Sequence, residues 1–421
     1  MNLKLKHSTC NLKSEISISG SKSETNRLLL LQALYPNISI ENASNSDDSD
    51  VMTKALLVNS QLTTHNSQPI NIHHAGTAMR FLTAYFSQKE GSEVVLTGSS
   101  RMQERPISVL VDALKQLGAD IEYVNNFGFP PLKIIGKKLT ANKVSLPANV
   151  SSQYISALLL IAPKLEKGLE LTLIGEITSI PYIKMTLTLL NEIGIETSFI
   201  GNKICVSHKS QISNPKSQIS NPKSQIVESD WSSASYFYSI IALSEIGTEI
   251  KLSYFKQNSL QGDSILSDIY KDFGVETVFE KNSIILKKTA ICNLQSVICN
   301  LQSAPDIAQT IAVTCFGLGI GCHLTGLHTL KIKETDRLIA LETELSKLGA
   351  TISVTNDSLT LEITSKINSE IIIETYQDHR MAMAFAPLAL KTDLLIENAE
   401  VVSKSYPNFW KDLKRIGFKI I

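Results

Sequence analysis

Eight cations, Lys22, Arg27, Arg80, Arg101, Arg105, Lys333, Arg337 and Arg380, fall in or one turn beyond short polar turns that lead into apolar, helix-like runs. A helix start carries unsatisfied N–H groups and a partial positive charge, so a further cation there is unfavourable unless an anion complements both. Solvated surface charge would explain any one of the eight, but not their recurrence in equivalent places. In SKSETNR, Ser23 and Arg27 are four apart and share a helix face, with Lys22 in the first turn. A hydroxyl, an ammonium and a guanidinium together suit a phosphate or a carboxylate. Ser151 and Ser152 read as N-caps, and Gln153 beside them offers both a donor and an acceptor to a polyol.

Two acids accompany these cations. In KETDR, helical spacing puts Lys333, Glu334 and Arg337 on one face. Glu334 is then either half of a structural salt bridge or a carboxylate ready to exchange a proton beside a bound anion. Asp306 in APDIAQT is either the N-cap of its helix or a base for a substrate hydroxyl. His73 and His74 are adjacent, so they point apart on a strand, and no third ligand is spaced to join them or His379 at a metal. No G-x-S-x-G elbow occurs. A site of this kind binds anions without a metal.

The elements that must position these residues recur. One segment type is a polar turn followed by an apolar run, beginning near Gly20, Ala75, Ser151, Trp231, Pro305 and Asp378. An amphipathic helix alternates with it and usually closes on glycine: Gly118, Gly194, Gly274, Gly349 and Gly417 lie 76, 80, 75 and 68 residues apart. Ile107, Leu110, Val111, Leu114 and Leu117 form one such face. Six units with two helices each and β-rich stretches between imply an α/β architecture. A pair of ordinary doubly wound nucleotide-binding domains is disfavoured, because neither G-x-G-x-x-G after a strand nor G-x-x-x-x-G-K-[ST] occurs.

Composition sets the outer limits. The 421 residues suggest two or three domains, and 43% hydrophobic against 19% charged residues describes a globular chain. Forty basic residues balance forty acidic ones, which argues against a dedicated nucleic-acid binder. The N-terminus has no apolar signal-type core, and the longest greasy stretch, from Thr310 to Leu324, is interrupted by three glycines and too short to span a bilayer. Six cysteines without a C-x-x-C pair form neither a disulfide framework nor a zinc motif, consistent with a reducing cytoplasm. Two period-seven tracts, 209–226 and 291–303, read as low-complexity surface insertions; the first carries Asn-Pro in successive repeats, which rules out a coiled coil.

Taken together, GSKSETNR, AGTAMR, RMQERPI, SSQYISALL, SIPYI, SSASYF, NSLQGD, PDIAQTIA, KETDR, DHRMAMAF and SYPNFW resemble, in order and over nearly the whole chain, the 5-enolpyruvylshikimate-3-phosphate synthase family. The resemblance implies an inside-out α/β barrel of six βαβαββ units in two similar domains, with the active site in the interdomain cleft. One domain would be 21–227, the other 1–20 with 228–421. It also implies transfer of the enolpyruvyl group of phosphoenolpyruvate to the 5-hydroxyl of 3-phosphoshikimate, releasing phosphate, in aromatic amino acid biosynthesis. Carried over by motif, 3-phosphoshikimate would meet Lys22, Ser23, Arg27, Ser151, Ser152, Gln153, Ser179, Tyr182, Asp306, Thr329 and Lys333. Phosphoenolpyruvate would meet Lys22, Gly76, Arg105, Gln153, Arg337, Arg380 and Lys404. Lys22, Asp306 and Glu334 would be catalytic, Asp306 taking the hydroxyl proton and Glu334 protonating the methylene carbon. Partners are the two small-molecule substrates, with no cofactor, nucleic acid or membrane, and the chain is expected to be a cytoplasmic monomer.

Three positions depart from the family pattern. Thr329 stands where many members have Asn, Phe81 where many have Pro, and Glu400 where some place a phosphoenolpyruvate-binding Lys, for which Lys404 substitutes. The sister enzymes that act on a UDP-amino sugar share the fold but commonly use a Cys in the RMQERPI unit, and no Cys occurs between Cys10 and Cys205.

Overall fold

Residues 143–206 contain the building motif in full. Strand Lys143–Pro147 leads into helix Ser152–Ile161, a second strand Leu169–Ile174, helix Ile180–Glu192, and the hairpin Thr197–Ile200 with Lys203–Val206. The first two strands are parallel, the rest antiparallel, with Lys203 opposite Thr172. Parallel strands cannot be joined by a tight turn, which is why a helix separates them. The coordinates are a computed structural model that describes residues 1–10, 13–58, 69–209 and 223–421.

The chain divides into two compact units, Lys22–Val227 and Met1–Ser21 with Glu228–Ile421. Among the described residues, the first holds two complete copies of the motif and a third represented by the parallel pair Ile38–Glu41 with Lys223–Ile226. The second holds three four-stranded sheets of the same order. Two of these are closed by the chain's N-terminal strands: Lys13–Ile16 pairs with Glu249–Ser253, and Leu3–Lys6 lies between Leu394–Ile396 and Lys419–Ile420.

The tracts 209–226 and 291–303 need correction. Residues 210–222 lie outside the described residues, but Lys223–Ile226 is a strand paired in register with Ile38–Glu41, and Ser296–Asn300 pairs with Gly321–Thr325. In the latter, Val297 and Cys299 pack on the core while Ile298 is exposed. A strand needs only period-two alternation over four or five residues, so a seven-residue repeat can contain one.

The two helix types differ in burial as their sequences require. Every residue of Trp231–Leu243 is buried, whereas Ser108–Gln116 buries Leu110, Val111, Ala113 and Leu114 and turns its charges outward. Hydroxyls inside the second unit satisfy one another: Ser235 bonds Thr310 at 3.0 Å, Thr314 donates to Ser239 at 2.8 Å, and Tyr270 bonds Thr314 at 2.9 Å. The five terminating glycines have φ between 76° and 110°, conformations that a side chain would strain.

Candidate active site

Each unit carries a cluster of the predicted residues. In the second unit the segment before helix Arg337–Lys347 is not helical: Asp336 caps that helix, accepting from the Leu338 and Ile339 amides. The helical-face argument for KETDR is therefore corrected, although its pairing survives, since Arg337 donates through Nη2 to Glu334 at 2.8 Å. Asp306 is no N-cap either. It lies inside the 3-10 turn Pro305–Ile307, whose cap position is Ala304, and its carboxylate turns toward cations from elsewhere.

Those cations converge on it. Arg337 Nη1 donates to Asp306 at 2.9 Å, while Lys333 Nζ lies 3.3 Å and Arg380 Nη2 3.4 Å from its oxygens. Burial alone would push the Asp306 carboxyl up, but Arg380, Lys333 and Arg337 outweigh it and hold the group well below the usual carboxylate range. Arg337, 2% exposed, also donates through Nε to the fully buried Asp378 at 2.7 Å. Its own burial opposes the charge, yet Asp378, Glu334 and Asp306 together raise its pKa. Three cations thus face three carboxylates, Asp306, Glu334 and Asp378, in one network. The guanidiniums in it are of the kind that also bind an external phosphate or carboxylate with charge-assisted hydrogen bonds.

Lys404 ends the 3-10 helix Ala399–Lys404 and donates to the Gln377 carbonyl at 2.6 Å, just before Asp378 and Arg380. Glu400 instead engages the N-terminal amine at 2.5 Å. The Thr329 hydroxyl, in the turn His328–Ile332, is buried without a hydrogen-bond partner among the described residues.

In the first unit Lys22 opens helix Lys22–Leu34 and lies 3.3 Å from Asp48, whose other oxygen is 3.8 Å from His74 Nε2. His73 and His74 sit in a turn, His73 with φ 51°, so the expectation of a strand with opposed side chains is corrected. Beyond them begins helix Gly76–Gln88. The Arg105 guanidinium packs over Gly76 so closely that a Cβ there would meet Nη1 at 2.6 Å. Gln153 donates to Thr77 at 3.0 Å, tying helix Ser152–Ile161 to the same start, and Ser151 caps that helix through the Gln153 amide. Ser152 is buried in its first turn. Arg80 fastens the arrangement from below, donating to the Gly76 and Pro106 carbonyls at 3.0 and 3.3 Å.

Arg27 is buried and held by interior partners. It donates to Thr186 Oγ1 at 2.8 Å, Ser156 Oγ at 2.9 Å and the Ser23 carbonyl at 2.7 Å, and it lies over the Phe81 and Tyr182 rings. Burial pulls its guanidinium down to about 10. Phe81, one of the departures, thus supplies an aromatic face to a buried cation. Ser179 caps helix Ile180–Glu192 in a left-handed conformation, φ 53°, without a side-chain cap bond.

Sequence reasoning missed Asp48, Asp263, Ser232 and Asp378. No local spacing reveals their long-range partners: Asp48 meets Lys22, Ser232 meets Asp263 and Asp378 meets Arg337, each across 26 or more residues. Among the described residues no group of three or more His, Cys, Asp or Glu side chains could hold a metal ion, and no helix is long and apolar enough to cross a membrane.

The repeated α/β motif and its cation-rich helix starts define the enolpyruvyl transferase class of fold. Solved structures with that fold include an EPSP synthase from Acinetobacter baumannii (TM-score 0.79, 21% identity, 100% of this chain and 99% of the other) and the enolpyruvyl transferase NikO from Streptomyces tendae (TM-score 0.76, 13% identity, 100% and 98%). Within the class, this chain belongs to the EPSP synthase (3-phosphoshikimate 1-carboxyvinyltransferase) family, whose model matches residues 7–413. A 3-phosphoshikimate 1-carboxyvinyltransferase from Bacteroides fragilis is 45% identical over 413 residues, 97% of this chain and 96% of its own length. One from Haemophilus influenzae is 36% identical over 429 residues, covering 96% of each.

Proposed function

We infer that the chain transfers the enolpyruvyl group of phosphoenolpyruvate to the 5-hydroxyl of 3-phosphoshikimate and releases phosphate. The reading rests on the family and its full-length relatives, and one geometric observation supports it most: Asp306 ringed by Lys333, Arg337 and Arg380, with Glu334 on the same guanidinium. Phosphoenolpyruvate carries about three negative charges, so bringing it to a phosphorylated acid needs concentrated cations.

In this reading the 5-hydroxyl oxygen attacks C2 of phosphoenolpyruvate as Asp306 accepts its proton. Glu334 delivers a proton to C3, giving a tetrahedral ketal. Glu334 then removes a proton from the new methyl group while the bond from C2 to the phosphate oxygen breaks, and phosphate leaves with the electron pair and takes up the proton held by Asp306. Ground-state ion pairing makes Asp306 a weak base. When substrate anions engage Arg337, Arg380 and Lys333, the grip on Asp306 loosens and its basicity rises where the proton must move. The same cations stabilise charge moving to the leaving phosphate.

Lys22, Gly76, Arg105, Gln153, Arg337, Arg380 and Lys404 are assigned to phosphoenolpyruvate, and Lys22, Ser23, Arg27, Ser151, Ser152, Gln153, Ser179, Tyr182, Asp306, Thr329 and Lys333 to 3-phosphoshikimate. The proposed state is a cytoplasmic monomer, in keeping with six free cysteines. The test is a phosphate-release assay with both substrates. Release must require 3-phosphoshikimate, and replacing it with a UDP-amino sugar must abolish release; turnover with the latter would overturn the reading.

A further inference from the structure

Behind Arg380 lies a carboxylate with no role in the reaction above. Asp263, in the 3-10 turn Gly262–Ile265, is 2% exposed. Its Oδ2 accepts a hydrogen bond from Ser232 Oγ, in the first turn of helix Trp231–Leu243. The Ser232 oxygen in turn accepts from Arg380 Nη2 at 3.2 Å. Asp263 Oδ1 has no hydrogen-bond partner among the described residues. A hydroxyl has one proton to give, so once Ser232 donates to Asp263 its lone pairs are left facing the guanidinium. Without Asp263 the hydroxyl rotates freely and that aim is lost.

We propose that Asp263 is a positioning residue for Arg380, acting through the Ser232 hydroxyl to hold the guanidinium where it meets phosphoenolpyruvate. The proposal rests on the assignment of Arg380 to that substrate. The same nitrogen that reaches Ser232 lies 3.4 Å from Asp306, so Ser232 and Asp306 fix the guanidinium from two sides. The ionisable groups facing Asp263 are Asp230, which caps helix Trp231–Leu243, Asp306 on the turn Pro305–Ile307, and Arg380 on helix His379–Phe385. Burial and Asp306 push the Asp263 carboxyl up to about 7, against the pull of Arg380 and Ser232. Asp263 is therefore protonated in acid solution and about half ionised near neutral pH.

The test measures KM for each substrate, kcat and thermal midpoint in Asp263→Ala, Asp263→Asn, Ser232→Ala and Arg380→Lys. Asp263→Ala and Ser232→Ala are expected to raise KM for phosphoenolpyruvate roughly tenfold, with far smaller changes in kcat and in KM for 3-phosphoshikimate. Asp263→Asn keeps an oxygen acceptor and recovers most of that loss. If Asp263→Ala does not fold, Ser232→Ala decides the matter: an unchanged KM for phosphoenolpyruvate in a folded Ser232→Ala overturns the proposal. A folded Asp263→Ala with unchanged KM for phosphoenolpyruvate, or with equal increases for both substrates, also overturns it. If Arg380→Lys raises that KM and Asp263→Ala does not, only the relay fails. If Arg380→Lys leaves it unchanged, the assignment of Arg380 fails and the relay with it.

Discussion

Arg337 donates through Nε to Asp378 Oδ2 at 2.7 Å, although 41 residues separate them in sequence. Asp378 also caps its own helix, accepting from the Arg380 amide at 2.8 Å. One fully buried carboxylate therefore holds the Arg337 guanidinium and the backbone at Arg380, the two residues whose guanidiniums flank Asp306. With its Nε edge anchored, Arg337 has its two Nη atoms directed at Asp306 and Glu334.

The assigned proton transfers predict that Asp306→Asn and Glu334→Gln each lower turnover on the order of 100-fold or more, because removing a positioned acid or base costs about that much. Binding of both substrates should be largely retained. Single-turnover phosphate release, set beside equilibrium binding of each substrate, separates the two effects; near-normal release in both variants would refute the assigned roles.

Gly76→Ala places a carbon 2.6 Å from Arg105 Nη1, and the guanidinium must move away. The expected outcome is a higher KM for phosphoenolpyruvate and weaker competitive inhibition by glyphosate, with KM for 3-phosphoshikimate little changed. Inhibition unaltered by the substitution would count against placing Arg105 and Gly76 at that substrate.

Asp306 also links stability to pH. Its carboxyl is depressed in the folded protein relative to about 4 in the unfolded chain, so the folded state releases this proton more readily. The stabilisation is complete above the unfolded value and disappears as pH falls toward the folded one. Asp306→Asn should therefore lower the thermal midpoint at pH 7, and the gap from wild type should narrow on acidification toward pH 3. A gap independent of pH would show that the ion network contributes nothing.

Arg27→Lys removes a fork that reaches Thr186 and Ser156 at once. A lysine cannot bond both hydroxyls, and the expected loss is about 2–3 kcal/mol of stability. Thermal melting should register it whether or not substrate is present. A variant that melts like wild type but loses affinity for 3-phosphoshikimate would make Arg27 a substrate contact with no structural part.

The sequence by itself determined the repeat, the terminating glycines and the division into buried and amphipathic helices, because these follow from local periodicity and backbone preference. It also determined the family, through ordered motifs that need no coordinates. Tertiary structure alone decided which charge meets which. Asp306 reads locally as a cap but reaches Arg337, 31 residues on; Arg27 is satisfied by hydroxyls 129 and 159 residues away. Ser232, Asp263 and Asp378 fall inside recognisable motifs and Asp48 outside them, but in none does local spacing say which side chain it meets; the strands within the two repeat tracts were hidden by the repeats themselves. Side-chain electrostatics depends on distance in space and on desolvation, and neither can be read from spacing along the chain.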